Sequence, residues 1–200
     1  MAGSQSPNYF LAIQVSDEKI KENVQEVQSF MKKKNMNLSY TMNNLDTLHI
    51  TLGLYRPEND EISEAKKALE EFQGSLNTFS PLTFTVSTIE SFQDQEDPDD
   101  HDVVYAAVTD NQILKDLVGA LRKSFQKRDL FVTDKGFVSH VTICRITARS
   151  RERGITRIDP SYYREKASTD FGKQHAKSIQ LCSMGKQKSG YYHVEKEIYF

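Results

Sequence analysis

The sequence contains few cysteines, glycines and prolines, and these scarcities exclude several classes of protein. Two cysteines in 200 residues can build neither a disulfide scaffold nor a four-cysteine zinc site. Both lie in apolar stretches, so we expect Cys144 and Cys182 to be buried free thiols. Nine glycines and five prolines are too few for a collagen-like or linker-like chain. The length suits one large domain or two closely packed lobes.

The sequence also lacks a long apolar run and an excess of positive charge. No window approaches the roughly 18 apolar residues of a membrane-spanning helix, and the N-terminus resembles neither a secretory signal nor a myristoylation site. The 26 basic residues are balanced by 28 acidic ones, whereas proteins that hold long nucleic acids are usually basic. We therefore expect no membrane partner and only short nucleotides as ligands. We also expect a monomer located in the cytoplasm, with the nucleus as an additional location.

Hydrophobic periodicity predicts alternating strands and helices. Short apolar runs predict strands at 9–15, 48–55, 82–89, 103–108, 137–144, 178–184 and 191–200. Helical spacing predicts helices at 17–34 with Ser16 as N-cap, at 62–72, and after Asp110, and Asp159-Pro160 predicts a short helix. The acidic segment 93–102 contains potential metal ligands, but a carboxylate run with a proline is typical of a solvated connection.

The two halves of the chain share a pattern. An aromatic, an apolar residue, an alanine and a β-branched residue follow one another from Phe10 and again from Tyr105. Phe10 lies 39 residues before His49, and Tyr105 lies 35 residues before His140. This favours an internal duplication of about 90 residues. We expect a single bilobal domain at 7–200, with repeats at 7–92 and 102–200 joined by the acidic loop 93–102.

Each half contains the motif His, aliphatic, Thr, aliphatic. The copies are 49–52 and 140–143, and strand alternation places the histidine and threonine of each on one face. An imidazole exchanges a proton readily near neutral pH, and a hydroxyl can donate a hydrogen bond to a phosphate oxygen. The sequence therefore predicts acid–base phosphoryl transfer with His49, Thr51, His140 and Thr142 as catalytic residues.

A metal site is the alternative use of a histidine pair. It needs a third ligand, and the pattern gives no placement for one among His101, His175 and His193. We therefore expect neither a metal nor a cofactor.

At these motifs the chain resembles the 2H phosphoesterase superfamily, which includes the LigT-type RNA ligases and cyclic phosphodiesterases. Segments 7–11, 181–184 and 190–193 resemble the central domain of A-kinase anchoring proteins with a nuclear-localisation-signal domain. The resemblance implies an α+β, bilobal, duplicated LigT-like fold, with a sheet from each repeat flanking a central cleft and helices outside. It also implies metal-independent cleavage of 2′,5′-linked oligoadenylates, which viral relatives use against an interferon-type RNase pathway. Ser139 departs from the proline that many relatives have, whereas Phe137 keeps the usual aromatic.

Aromatic side chains are the candidates for substrate binding. Phe10 and Tyr105 share strand faces with small alanines, so each can stack on a base or pack in the core. Phe137 is a further candidate. Tyr191 and Tyr192 point to opposite faces of the last predicted strand, so one should be core and the other exposed. Four arginines between 145 and 153 can attract an anionic oligonucleotide or simply be solvated.

The sequence thus predicts a metal-independent 2′,5′-phosphodiesterase whose ligand is a short oligoadenylate or an AMP-like mononucleotide. The alternatives are a non-catalytic AMP or nucleotide sensor and an RNA 3′-end or cyclic phosphodiesterase. No amphipathic segment follows the last predicted strand, so the sequence does not support kinase anchoring.

Overall fold

Two four-stranded antiparallel sheets form the framework of the protein. The structure, a computed structural model, describes residues 9–56, 62–93, 101–109, 112–130, 132, 136–185 and 190–200. Most of the predicted acidic loop, and the helix cap predicted at Asp110, lie outside these residues. Within the described part, no helix has both the length and the apolar character needed to cross a membrane.

Each sheet is flanked by helices. The first sheet has the order β2-β1-β7-β8, with β1 at Tyr9–Gln14, β2 at His49–Tyr55, β7 at Ser178–Ser183 and β8 at Val194–Tyr199. The second has the order β5-β4-β3-β6, with β3 at Thr83–Gln93, β4 at His101–Thr109, β5 at His140–Arg145 and β6 at Asp170–His175. The α-helices are α1 at Glu18–Lys34, α2 at Ile62–Phe72, α3 at Gln112–Gln126 and α4 at Ala148–Glu152.

Helix α1 shows how local sequence sets an element. Its apolar stripe is buried, and three lysines close its last turn, where the helix dipole favours positive charge. The N-cap prediction was wrong by one residue. Asp17 caps the helix, with its Oδ1 accepting from the Ile20 amide at 3.0 Å. The Ser16 amide instead donates to Gln174 Oε1 at 2.8 Å, which ties α1 to β6.

The two sheets do not coincide with the two halves of the sequence. Strands β7 and β8 come from the second half but extend the sheet of β1 and β2, whereas β3 from the first half pairs with β4. The expectation that each repeat supplies its own sheet is therefore wrong. The two antiparallel sheets with helices are as expected, and the repeat boundaries stay predictions.

The two histidine motifs share a β-bulge at the same position. Strand β1 pairs Leu11 with Gly53 and then Ala12 with Thr51, so Leu52 is the extra residue. The pairing of β4 with β5 also shifts by one residue, and there Ile143 is extra. Bulges of this kind re-aim side chains and are frequent near functional sites. A matching irregularity at the fourth position of both motifs supports the duplication.

Several strand predictions differ from the structure. Strand β5 begins at His140 instead of 137, and β8 begins at Val194 instead of 191. Strand β6 was not predicted, because its sequence shows little alternation. Only Phe171 and Gln174 in it are buried, and Gly172 has a φ of 121°.

A single large apolar cluster fills the space between the sheets and the helices. A small second cluster of Phe10, Ala12 and Cys182 lies on the other face of β1. Both cysteines are buried and unpaired, as expected.

Candidate active site

The two motifs present their histidines and threonines in the same way. In β2 and in β5 the first four residues alternate between half-buried and buried, with the histidine and threonine half-buried. The aliphatic partners anchor each strand in the large core cluster. The predicted alternation is therefore confirmed. Within the described residues, neither the Thr51 nor the Thr142 hydroxyl takes part in a hydrogen bond, so both can meet a ligand.

One hydrogen bond orients each imidazole, and it is the same bond in both motifs. Nδ1 of His49 lies 2.7 Å from the carbonyl oxygen of Thr47, and Nδ1 of His140 lies 2.7 Å from that of Val138. A carbonyl oxygen can only accept, so the proton is on Nδ1 in each ring. This leaves Nε2 as the nitrogen that exchanges a proton with a ligand.

Two aromatic rings enclose His49. The Phe10 ring lies 4.9 Å from the imidazole, centroid to centroid, and the Tyr192 ring lies 5.4 Å away, edge to face. Phe10 and Tyr192 also contact each other at 4.9 Å. The predicted residues Phe10 and Tyr192 thus both contact His49. Phe10 is almost fully buried, so its ring packs against the imidazole from the protein interior.

His140 has an equivalent aromatic environment. Tyr105 lies 5.1 Å and Phe92 lies 5.0 Å from its ring, and the two aromatics contact each other at 4.5 Å. Tyr105 was a predicted site residue, whereas Phe92 was missed. The predicted strand ended at residue 89, but β3 continues past Thr88, whose φ of 58° accompanies a register shift. Phe92 is 36% exposed, so its ring has a free surface beside His140.

The remaining predicted aromatics have different positions. Tyr191 and Tyr192 are both half-buried and pack on the Phe10 cluster, so the prediction that one would be exposed is wrong. They precede β8, and their rings meet edge to face at 5.4 Å instead of pointing to opposite faces of a strand. Phe137 is half-buried against the large core cluster. Its role in substrate binding stays a prediction.

Burial keeps both imidazoles neutral. Desolvation is the largest cause that lowers the pKa of His49, from 6.5 to about 4. The nearby His140 and Arg145 lower it further, while the bond to the Thr47 carbonyl opposes the shift. The pKa of His140 is also lowered, again chiefly by burial. Because the charge of His140 acts on the pKa of His49, the two imidazoles lie within electrostatic range of each other.

The buried His49 should make the protein sensitive to acid. Its unfolded pKa is near 6.5, so between that pH and about 4 the unfolded chain binds a proton that the folded chain does not. The stability contributed by neutral His49 is complete above this window and is lost as pH falls through it, by at most about 3 kcal/mol. Denaturant unfolding at about pH 7 and about pH 4 measures this loss. The wild type should lose more stability than His49→Gln, and equal losses would contradict the shift.

Two clefts lie beside the histidines. One, of about 690 Å³, includes Thr47 and Tyr192 beside His49 in its wall. The other, of about 540 Å³, includes Tyr105 and Val138 beside His140. In the second cleft the Tyr105 hydroxyl donates to Glu90 Oε2 at 3.1 Å. Burial first, and then Glu90, raises the pKa of Tyr105 to about 12, so the phenol remains protonated.

The described residues contain no cluster of three or more histidine, cysteine or acidic side chains able to hold a metal ion. His175 Nδ1 instead lies 2.7 Å from the Thr83 hydroxyl, and His193 Nε2 lies 3.5 Å from Glu195 Oε1.

Most of the chain is similar in sequence to a known protein family. A family model described as the AKAP7 2′5′ RNA ligase-like domain matches residues 7–200. Human A-kinase anchor protein 7 isoform gamma is 29% identical over 202 residues, which cover 96% of this chain and 57% of that protein. The chain thus spans little more than half the length of this relative.

Two solved structures share the fold. The protein TT0787 of Thermus thermophilus superposes with a TM-score of 0.67 at 17% identity, covering 96% of this chain and 97% of the other. Escherichia coli LigT complexed with 3′-AMP gives a TM-score of 0.61 at 18% identity, covering 98% and 99%. The α+β, LigT-like fold is therefore confirmed.

Proposed function

The chain belongs to the AKAP7 2′5′ RNA ligase-like family, and we propose that it is a metal-independent phosphodiesterase that cleaves 2′,5′-linked oligoadenylates. The observation that carries the proposal is the matched pair of imidazoles. In each ring Nδ1 is held by the carbonyl two residues before it, which leaves Nε2 to exchange a proton, and each histidine shares a half-buried strand face with a threonine. Binding alone needs no second proton-transfer group, whereas in-line displacement at phosphorus uses a base and an acid.

His49 is the general base in this mechanism. Its pKa is lowered to about 4, so Nε2 is unprotonated at neutral pH and can accept the proton of the free 3′-hydroxyl. The 3′-oxygen attacks the 2′-linked phosphorus and forms a new O–P bond. The bond from phosphorus to the 5′-oxygen of the next nucleotide breaks.

His140 is the general acid. A phosphate anion bound beside it stabilises the imidazolium form, and the Nε2–H of that form gives a proton to the departing 5′-oxygen. The products are a 2′,3′-cyclic phosphate and a free 5′-hydroxyl. One proton enters the site at His49 and one leaves at His140, so the two histidines exchange protonation states in each turnover. Thr51 and Thr142 donate hydrogen bonds to the non-bridging phosphoryl oxygens as charge develops there.

The linkage and metal dependence of turnover test this function. The protein should cleave 2′,5′-linked diadenylate in excess EDTA and leave a cyclic phosphate. The 3′,5′-linked isomer should react about 10²-fold more slowly, because its nucleophile is displaced by about 1 Å. Chromatography of the products of both isomers, with and without EDTA, measures this. Activity that returns only with zinc or magnesium, or equal cleavage of the two isomers, would overturn the proposal.

The pH profile of kcat/KM should be a bell on the acid side of neutrality. Activity is lost as pH falls through the pKa near 4, because the base becomes protonated. It is also lost as pH rises through the lowered pKa of His140, because the acid loses its proton. The two limbs belong to the coupled pair. The profile of kcat should lie at higher pH, since a bound phosphate anion stabilises imidazolium. A kcat/KM optimum above about pH 7 would contradict this assignment.

A further inference from the structure

The cleft beside His49 carries more positive charge than catalysis requires. We call it the basic cleft and define it by Tyr40, Asn43, Arg145, Arg149, Tyr191 and Tyr192, with neutral neighbours completing its wall. It lies next to His49, because Thr47 in its wall supplies the carbonyl that holds this imidazole and the charge of Arg145 acts on it. A group attached to a phosphate bound at His49 is therefore within reach of this cleft.

The two arginines of the basic cleft, and Arg153 beside Tyr40, have no acidic partner in the described part of the chain. Arg145 ends β5, and Arg149 and Arg153 lie with their guanidinium groups 5.6 and 5.0 Å from the Tyr40 ring. No carboxylate among the described residues pairs with these three arginines, and no acidic residue of that part of the chain lines the cleft. Arg151, on the same helix, instead pairs with Asp102 at 3.1 Å.

The segment opposite the arginines is held in a fixed position. The Asn43 amide donates to the carbonyl of Ile143 at 3.0 Å, and Asn43 Nδ2 donates to that of Thr142 at 3.3 Å. The Arg145 amide donates to the Thr41 carbonyl at 2.9 Å, and Gln28 Nε2 reaches both Asn43 and Ile143. This backbone pairing fastens the chain before β2 to β5, so the cleft is formed before a ligand arrives.

The cleft beside His140 has the opposite character. Its described lining includes the Glu90 carboxylate and contains no lysine or arginine. The two histidine motifs are nearly symmetric, but the clefts beside them differ in the sign of their charge. A phosphate is favoured on the His49 side, and an uncharged nucleoside is favoured on the His140 side.

The two nucleotides at a 2′,5′ bond differ in the same way. The nucleotide with the attacking 3′-hydroxyl bears a further phosphate on its 5′-oxygen, whereas a terminal leaving nucleoside bears none. Resting on the function proposed above, we propose that the basic cleft binds the 5′-phosphate of the nucleotide that carries the attacking hydroxyl, with Arg145 and Arg149 as its ligands. The group is either a terminal monoester or the preceding phosphodiester. This orientation places the attacking hydroxyl at His49 and the leaving oxygen at His140.

Binding of uncleavable analogues tests the subsite separately from catalysis. The ligands are 3′-deoxy 2′,5′-diadenylates with a 5′-hydroxyl, with a 5′-monophosphate, and with an upstream nucleotide joined through a phosphodiester. In the wild type, either form of phosphate should tighten binding about tenfold over the 5′-hydroxyl dimer. Arg149→Met should remove most of this gain, leaving the affinity for the 5′-hydroxyl dimer unchanged. Arg151→Met is the matched control, since it removes the same charge from the same helix but from a paired arginine outside the cleft.

The outcomes separate the subsite from the proposed function. Equal binding of the three analogues by the wild type overturns the subsite, and so does a gain that survives both Arg145→Met and Arg149→Met. A gain lost equally in Arg151→Met also overturns it, because it would reflect net charge and not this cleft. The proposed function is judged independently by turnover of the ordinary 5′-hydroxyl dimer, which has no 5′-phosphate for the arginines of the basic cleft to bind.

Discussion

Replacing either His49 or His140 with alanine should lower kcat for a 2′,5′-linked diadenylate by about 10²–10⁴. Each imidazole performs a different proton transfer in one displacement, so neither can substitute for the other. The double variant should be little worse than the single ones, because residues that act as a unit are not additive. Steady-state kinetics of the three variants against the wild type measures both effects.

His175→Ala is the matched control for this experiment. His175 ends β6 with an exposed side chain and contacts the Thr83 hydroxyl, so its loss removes an imidazole without touching the site. Circular dichroism and thermal unfolding should show that all variants fold. If His49→Ala and His140→Ala each lost less than about tenfold, or if their effects simply multiplied, the acid–base pair would be rejected in favour of a nucleotide-binding module.

The sequence was sufficient to predict which strand face carries the histidine and the threonine of each motif. The alternation of side chains on a strand depends only on local backbone geometry. It was therefore predictable that His49 and Thr51 share one half-buried face of their strand, and that His140 and Thr142 do the same. The same local rule does not give the register in which the motif strands pair with their neighbours. Phe10 and Tyr105 occupy equivalent positions in the two sequence patterns. In the structure, however, Tyr105 pairs with Thr142, whereas the residue that pairs with Thr51 is Ala12, two positions after Phe10. An offset of two residues of this kind arises from register, which the pattern of one strand does not contain.

Non-local pairing accounts for the other differences. The sequences of β3 and β7 do not indicate that each strand pairs with strands from the other half of the chain. That pairing depends on which edges of β1 and β4 are free to bond to another strand. The ring of Phe92 reaches His140 only because β3 runs beyond its bulge at Thr88. Tyr191 and Tyr192 were assigned to a strand that begins only at Val194, so their shared contact with the Phe10 cluster was not predictable.

The roles of the two histidines also required the structure. Their motifs are nearly identical in sequence, and what distinguishes them is the environment that tertiary packing builds around each. Burial is the main cause that lowers the pKa of His49 to about 4, and the nearby Arg145 adds to it. For His140, burial lowers the pKa and the bond to the Val138 carbonyl opposes the shift. In the proposed mechanism, charge and burial favour His49 as the base, whereas the sequence alone gives only the pair of motifs.

A 2′,5′-diadenylate whose attacking 3′-hydroxyl is replaced by hydrogen should bind but not be cleaved. The mechanism uses that oxygen as the nucleophile, so its removal leaves His49 with no proton to accept and phosphorus with no group aligned for attack. The phosphate, both bases and the leaving oxygen are unchanged, so the dissociation constant should stay within about threefold of that of an inert reference. Loss of turnover should exceed about 10⁴-fold, since an aligned intramolecular nucleophile contributes at least that much.

The appropriate reference is the natural dimer bound to His140→Ala, which retains the hydroxyl but lacks the acid. Calorimetry gives the two dissociation constants, and chromatography after long incubation gives the residual cleavage. If the wild type cuts the 3′-deoxy dimer at a comparable rate and releases a 2′-monophosphate, the attacking group is water activated by a histidine. The cyclic product would then be excluded. His49 and His140 would keep their roles as base and acid, but with water in place of the ribose hydroxyl, and discrimination against the 3′,5′ linkage would have to come from binding alone.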